Sequence, residues 1–375
     1  VANATKAPGI PGIVSGQIWC WGAGSFSRRR SAARILTAVL VTALAAAPLA
    51  ARAQQITGAG ATLPAPLYAA WGHAAESAIG IRLNYQAFSS GTGATQVLAR
   101  TVDFGASDEP IAAGHLESDH LLQFPTVIGA VVVIVNVPGV QVNQLRLTGE
   151  IIAAIYIGKI TRWNDPRIAE LNKDLSLPGL AIVPIFRAGT SGTNFVFTSY
   201  LAAAEPAWRQ RVGVGPSVGW PAGAGARSNS NAGLTVSSIV GAIGYTASAY
   251  ATQSHLVTVQ LRNKAGQFVT PNREAFQAAA AYADWKHAAN FAVNLIDPGG
   301  DRAWPIAAAT FVLLPENPHD AAAAANVVRF FDWAYTNGGK TAEDLDYIPL
   351  PPEVQDAVRQ AWKTSIKGPD GKPVL

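Results

Sequence analysis

The chain has 375 residues, 49% hydrophobic and 14% charged, which is the composition of a globular protein long enough for two domains of ordinary size. Its formal net charge of +4 comes from residues 1–53, which hold six of the 28 basic residues and none of the 24 acidic ones, so the rest of the chain has a net charge of −2. That remainder has no basic run and no basic stripe interleaved with aromatics, which excludes nucleic acid as a partner.

Residues 1–53 read as an export signal. Arg28-Arg29-Arg30 supply the positive segment, residues 35–50 the apolar one, and Ala51-Arg52-Ala53 a small-x-small cleavage site that puts the mature start near Gln54. The apolar run is shorter than the ~20 residues that span a bilayer, which argues against an anchor. The arginines lack the apolar residue that usually follows them in a twin-arginine signal, which favours the general secretory route. The stretch before the arginines is long for such a signal. The single cysteine, Cys20, precedes the apolar run, so the mature chain is expected to have no disulfide, no lipid-bearing cysteine, no thiolate metal site and no cysteine nucleophile.

Beyond residue 54, strand-like and helix-like segments alternate. Residues 64–79 place Leu67, Trp71, Ala75 and Ala78 at helical spacing, with Pro64 in the first turn. Residues 82–88 predict a strand and residues 92–99 a second helix. Residues 127–135 are continuously apolar and rich in Val and Ile, as in a strand buried on both faces, and Pro138-Gly139 closes them. A strand over 182–186 leads to a helix over 194–204. The Gly- and Asn-rich residues 222–233 read as a long polar break. A helix over 273–290, a strand over 310–314 and helices over 321–335 and 353–365 follow. The alternation predicts an α/β fold with a mainly parallel sheet.

Three loops consist almost wholly of Gly, Ser, Thr and Ala, and each precedes a helix-like stretch: Gly58-Ala59-Gly60-Ala61-Thr62, Ser89-Ser90-Gly91-Thr92-Gly93 and Gly189-Thr190-Ser191-Gly192-Thr193. Such loops expose backbone N–H groups and hydroxyls at the positive end of a helix dipole. Each alone is equally a capped strand–turn–helix, and Thr62 before Pro64 fits a helix cap. Together with Arg187, whose planar fork suits an oxyanion, and Asp108, they suggest a cage for one small oxyanion. A carboxylate facing an anion is repulsive unless the ligand has a proton to donate. Protonated phosphate has one and sulfate does not, so Asp108 would select between them.

Other patterns fail. Gly58-x-Gly60 is followed by Leu63 where a dinucleotide fingerprint needs glycine, and Thr193 stands where a nucleophile elbow needs its last glycine. Gly339-Lys340-Thr341 lacks the first glycine of a P-loop, since Ala334 holds that position. The six histidines show no metal-ligand spacing, so no metal and no cofactor are expected. The eight tryptophans beyond residue 54 fall mostly on helical faces and read as core.

Over residues 55–375 the chain resembles the periplasmic phosphate-binding proteins of phosphate-specific ABC transporters. The strings that carry the resemblance are Thr57-Gly-Ala-Gly-Ala-Thr-Leu-Pro-Ala-Pro66, Thr101-Val-Asp-Phe-Gly-Ala-Ser-Asp108, Gln123-Phe-Pro-Thr-Val-Ile-Gly129, Ser191-Gly-Thr-Asn-Phe-Val-Phe-Thr-Ser-Tyr-Leu201, Gly241-Ala-Ile-Gly-Tyr245, Ala303-Trp-Pro-Ile306 and Phe330-Phe-Asp-Trp-Ala-Tyr335. The resemblance implies a two-lobed periplasmic-binding-protein clamshell, with residues 54–128 plus 300–375 in one lobe and 129–299 in the other. The chain would cross between lobes near residues 125–130 and return near 297–305. It implies phosphate contacts from Thr62, the Leu63 backbone, Ser90, Asp108, Arg187, Ser191, Gly192 and Thr193. It implies a monomeric periplasmic receptor, not an enzyme, that delivers phosphate to membrane permease subunits. A receptor for sulfate or molybdate, and a secreted phosphoester hydrolase using Ser191 or Ser90, are the alternatives. Two positions depart from the family pattern: Leu63 stands where Phe is common, and Gly189 where an Asp commonly faces the arginine.

Overall fold

From Gln54 the chain builds a strand–helix alternation around one sheet. β1 (Gln54–Gly60) is followed by α1 (Ala65–Ile79), β2 (Ile81–Ala87), α2 (Ser90–Leu98) and β3 (Phe104–Ser107). α1 ends at Gly80, whose φ of 67° is the left-handed geometry that glycine adopts without strain. β1 lies between β2 and β3 and is parallel to both. The computed structural model describes residues 54–369 and 371–374, so the export signal expected over 1–53 lies outside the described residues.

The long β4 (Leu121–Val135) comes next, then β5 (Val183–Arg187), α3 (Gly192–Ala204), β6 (Ala224–Ala226), α4 (Asn229–Ser238) and β7 (Ala242–Ala247). β8 (Ala307–Pro315), α5 (Ala321–Asn337) and α6 (Pro352–Ser365) complete the main elements. The strand order is β2-β1-β3-β8-β4-β7-β5-β6, with Val257–Thr258 also paired to β4. Strands Arg146–Leu147, Gln260–Arg262 and Phe268–Val269 make a separate small sheet.

The parallel pairing predicted from the alternation holds in the two outer thirds, β2-β1-β3 and β7-β5-β6. Between them the sheet is antiparallel, because β8 pairs with β3 and β4, and β4 pairs with β7. The sheet is therefore mixed. β4 serves both halves: residues 121–130 pair with β8, and Val131–Val135 pair with β7. Its run Val131-Val132-Val133-Ile134-Val135 is buried throughout, as a strand covered on both faces must be.

Each half has its own aromatic core. In the first, Phe331 meets Tyr68, Phe104 and Phe124 edge-on, with centroids 5.3–5.7 Å apart, and Trp362 packs on Phe124 and Tyr335. In the second, Tyr245 stacks on Phe197 at 3.8 Å, beside Tyr156 and Trp220. Burying each such ring stabilises the fold by roughly 1.5–3 kcal/mol. Trp71, Trp163, Trp208, Trp304 and Trp362 are buried, in keeping with a core role.

Two expected elements differ. The helix over 273–290 stops at Ala280; Asp284 accepts the His287 N–H to start a short 3-10 turn, and Asn290 and Phe291 adopt positive φ. Residues 222–233 are not a break. Ala224–Ala226 adds an edge strand to β5, and Ser228 caps α4 by accepting the Asn231 N–H at 3.0 Å.

Candidate functional site

β1 and β3 of one parallel set and β5 of the other end close to the polar residues they carry. Thr62 lies two residues beyond β1, Asp108 directly follows β3, and Arg187 is the last residue of β5. Ligands in open α/β sheets bind at such carboxyl ends. Thr62, Leu63, Ser90, Asp108, Arg187, Ser191, Gly192 and Thr193 are all buried, and hydrogen bonds tie Thr62, Arg187 and Thr193 together through Asn229, and Ser90, Asp108 and Gly192 into a second cluster.

Helix capping and the site are divided between neighbouring hydroxyls. Ser89 caps α2 by accepting the Thr92 N–H at 3.2 Å, which leaves Ser90 for the cluster. Ser191 caps α3 by accepting the Asn194 N–H at 3.3 Å. Thr62 does not cap α1, contrary to the sequence reading. The N-cap position is Pro64, with no side-chain cap, because the Thr62 hydroxyl turns instead to Arg187 and Asn229.

Two tyrosines, the buried Tyr347 and the half-buried Tyr85, fix the first loop. Tyr85 donates to the Ala61 carbonyl and Tyr347 to the Leu63 carbonyl, each at 2.6 Å. In a trans peptide the C=O and N–H point opposite ways. Holding the Ala61 carbonyl therefore aims the Thr62 N–H away from Tyr85.

Ser90 Oγ accepts the Asp108 N–H at 3.2 Å and the Gly192 N–H at 3.1 Å. The Gly91 N–H donates to the Thr190 carbonyl at 3.0 Å. The second and third loops are thus joined across the two halves of the sheet, which sets the starts of α2 and α3 together. Both helix dipoles place positive potential there.

Arg187 is 1% exposed, and all its side-chain partners are neutral oxygens. Nη1 donates to Thr62 Oγ1 at 3.3 Å and Asn229 Oδ1 at 3.1 Å, Nε to the Ala226 carbonyl at 3.3 Å, and Nη2 to the Arg227 carbonyl at 3.0 Å. Its backbone N–H donates to the Tyr245 hydroxyl at 3.0 Å. Burial pushes the guanidinium below its ordinary range, and Tyr245 and Asp108 oppose that shift. At Gly189, φ is +79°, a left-handed geometry that glycine adopts without strain.

Asp108 is 2% exposed. Its Oδ1 accepts the Thr310 hydroxyl at 2.8 Å, while Oδ2 is buried with no hydrogen-bond partner. Burial pushes the carboxyl up to about 7, against the pull of the Thr310 bond and the Arg187 charge. A buried acceptor without a donor costs stability unless a bound group supplies one. The cluster therefore sets a guanidinium, hydroxyls and two helix starts beside one carboxylate oxygen that lacks a donor. Among the described residues, no three His, Cys, Asp or Glu side chains converge as a metal site would need.

Sequence reasoning missed Asn229 and Thr310. Asn229 is fully buried at the start of α4 and bonds to Arg187, Thr62 and Thr193. Ser228-Asn229-Ser230-Asn231 before a helix is a fourth loop of the kind already noted, and that was the available signal. Thr310 lies inside an apolar strand and carries no such signal.

The family model for the PBP superfamily domain matches residues 45–336. The phosphate-binding protein PstS of Pasteurella multocida is 45% identical over 338 residues, covering 90% of this chain and 97% of the relative. PstS of Haemophilus influenzae is 43% identical, covering 84% of this chain and 95% of the relative. Among solved structures, a phosphate-binding protein from Stenotrophomonas maltophilia superposes with a TM-score of 0.64 at 22% identity, covering 86% of this chain and 99% of that one.

Proposed function

This chain belongs to the PBP superfamily and, within it, to the phosphate-binding proteins, and from that premise we propose that it binds inorganic phosphate in the cage between β1, β3 and β5 and delivers it to an ABC-type importer. The observation that carries this reading is that a region made positive by Arg187 and two helix starts also holds Asp108 Oδ2, a buried oxygen without a partner. A protonated phosphate satisfies both sides: its oxygens accept from the donors, and its hydroxyl donates to Asp108.

The eight expected contact residues, Thr62, Leu63, Ser90, Asp108, Arg187, Ser191, Gly192 and Thr193, are the proposed phosphate contacts. The proposed lobes are residues 54–128 with 300–375, and residues 129–299, so the anion joins them. Binding replaces the hydration shell of phosphate with fixed donors, and closure of the lobes excludes water. The partners are phosphate and the membrane permease subunits. The protein acts as a monomer in the periplasm after export by the general secretory route.

The protein is a binding protein, not an enzyme. Ser90 Oγ is met by two backbone N–H groups and no base, and Ser191 Oγ by a helix N–H, so neither is activated as a nucleophile. Calorimetric titration of the purified protein with phosphate, sulfate and molybdate tests the reading. Tight binding of phosphate with sulfate rejected is expected. Preference for sulfate or molybdate overturns it.

A further inference from the structure

Asn229 sits where the cage closes, and its chemistry has a direction. Arginine has donors only, so the Asn229 atom 3.1 Å from Arg187 Nη1 is the amide oxygen. The amide nitrogen therefore faces the two threonines, donating to Thr62 Oγ1 at 3.0 Å and Thr193 Oγ1 at 3.2 Å. Thr62 Oγ1 also receives Arg187 Nη1. Its two lone pairs are then taken by N–H donors, and its own proton must go elsewhere. Thr193 Oγ1 likewise accepts from the amide, which directs its proton away from Asn229. Thr62 follows β1, Thr193 lies on α3 and Asn229 begins α4, so one buried amide orients hydroxyls from both halves of the sheet.

We propose that Asn229 is a positioning residue of the anion site: its amide forces the Thr62 and Thr193 hydroxyls to act as donors to the bound oxyanion and holds Arg187 without neutralising it. The inference rests on the phosphate-binding reading above. It assigns to Asn229 no direct contact with the anion. A carboxylate at the same place would do the opposite. It would accept from both hydroxyls, drawing their protons out of the cage, and it would pair with Arg187.

The test compares Asn229→Asp and Asn229→Ala with the wild type by calorimetric titration of inorganic phosphate, with thermal melting of the ligand-free proteins as the folding control. Hydrogen bonds to a charged group are among the stronger ones, so losing two donors predicts a fall in phosphate affinity of roughly 100-fold or more for Asn229→Asp. Asn229→Ala leaves the hydroxyls free to turn to the anion and keeps the Arg187 charge, with an expected loss of about tenfold. The near-isosteric variant is thus the worse one. A residue that only filled space would give the reverse order, since alanine leaves the larger hole. The gap between Asn229→Asp and wild type should narrow as the pH is lowered and the new carboxyl gains a proton it can donate. An Asn229→Asp protein that is folded and binds within threefold of wild type overturns the inference, as does a greater loss in Asn229→Ala. Failure of the wild type itself to bind phosphate would instead overturn the functional reading.

Discussion

Ser90 and Gly192 meet across the two halves of the sheet: the Gly192 N–H donates to Ser90 Oγ at 3.1 Å. A Cβ on Gly192 would lie 2.3 Å from that oxygen, 2.7 Å from Asp108 Cβ and 2.9 Å from the Asp108 backbone nitrogen. The first contact could be relieved by turning the Ser90 side chain, but the other two involve parts of Asp108 that cannot turn away. Gly192→Ala should therefore hold the halves apart. Overpacking of this kind costs about 1–3 kcal/mol, so phosphate affinity should fall by ~10–100-fold. The ligand-free protein should melt near the wild-type temperature, because the halves can separate slightly to relieve the clash. Wild-type affinity in this variant would show that the two loops need not approach so closely.

Asp108 makes two separable predictions. Asp108→Asn replaces the unpartnered oxygen with an NH2 group while its oxygen stays with Thr310. That group donates to sulfate, so rejection of sulfate, expected at roughly 10⁴–10⁵ where a required hydrogen bond is missing, should collapse. Competition between phosphate and sulfate in the variant measures it.

The second is a pH effect on the ligand-free fold. Burial raises the folded-state value of Asp108 from 3.8 to about 7, so between these limits the folded state binds more protons than the unfolded one. Stability from this group is full below about pH 4 and is lost as the pH rises through about 7. Glu109, pushed up to about 7 by burial, acts in the same direction, so the comparison must be made against Asp108→Asn. Wild type should lose on the order of 3–4 kcal/mol relative to the variant across that window. Denaturant melts at pH 4.5 and 7.5 would read it, and parallel curves would show that Asp108 is hydrated in the ligand-free protein, as it would be with the two halves apart.

The site was legible where the backbone itself does the work. Gly/Ser/Thr loops before helices are a pattern of residue type, so Ser90, Ser191, Gly192 and Thr193 could be singled out as candidates from that pattern, and the fold brings their loops together. The antiparallel centre of the sheet was not legible. An apolar strand such as β4 reads the same whichever way its neighbours run, and only the pairing of Ala130 with Ala307 and of Val131 with Ala247 shows that it serves two halves. Asn229 was hidden for a different reason. Its importance lies in facing Thr62, 167 residues away, and spacing along the chain carries no record of that contact.

Arg187 is held by four neutral oxygens, spread along its fork on Ala226, Arg227, Thr62 and Asn229. Arg187→Lys keeps the charge but loses the fork, so its three donors cannot reach Ala226, Arg227 and the Thr62–Asn229 pair together. Phosphate affinity should fall by about 10–100-fold in Arg187→Lys and by more in Arg187→Ala, where the charge is gone as well. Equal affinities in the two variants would mean that charge contributes nothing beyond the fork, and an unchanged affinity in either would place Arg187 outside the binding cage.

The last prediction concerns motion. Thr62, Ser90 and Asp108 belong to the β2-β1-β3 half, while Arg187, Ser191, Gly192 and Thr193 belong to the β7-β5-β6 half. One anion touching both sets favours the arrangement in which they face one another, since only there are all its partners in reach. Small-angle scattering should show a more compact particle with phosphate than without, and phosphate at 100 times its dissociation constant should stabilise the fold by about 2.7 kcal/mol. The two readouts separate the ideas. Stabilisation without compaction would mean that the halves are already closed before phosphate arrives, and the hydrogen bonds from Gly192 to Ser90 and from Gly91 to Thr190 would then be what holds them.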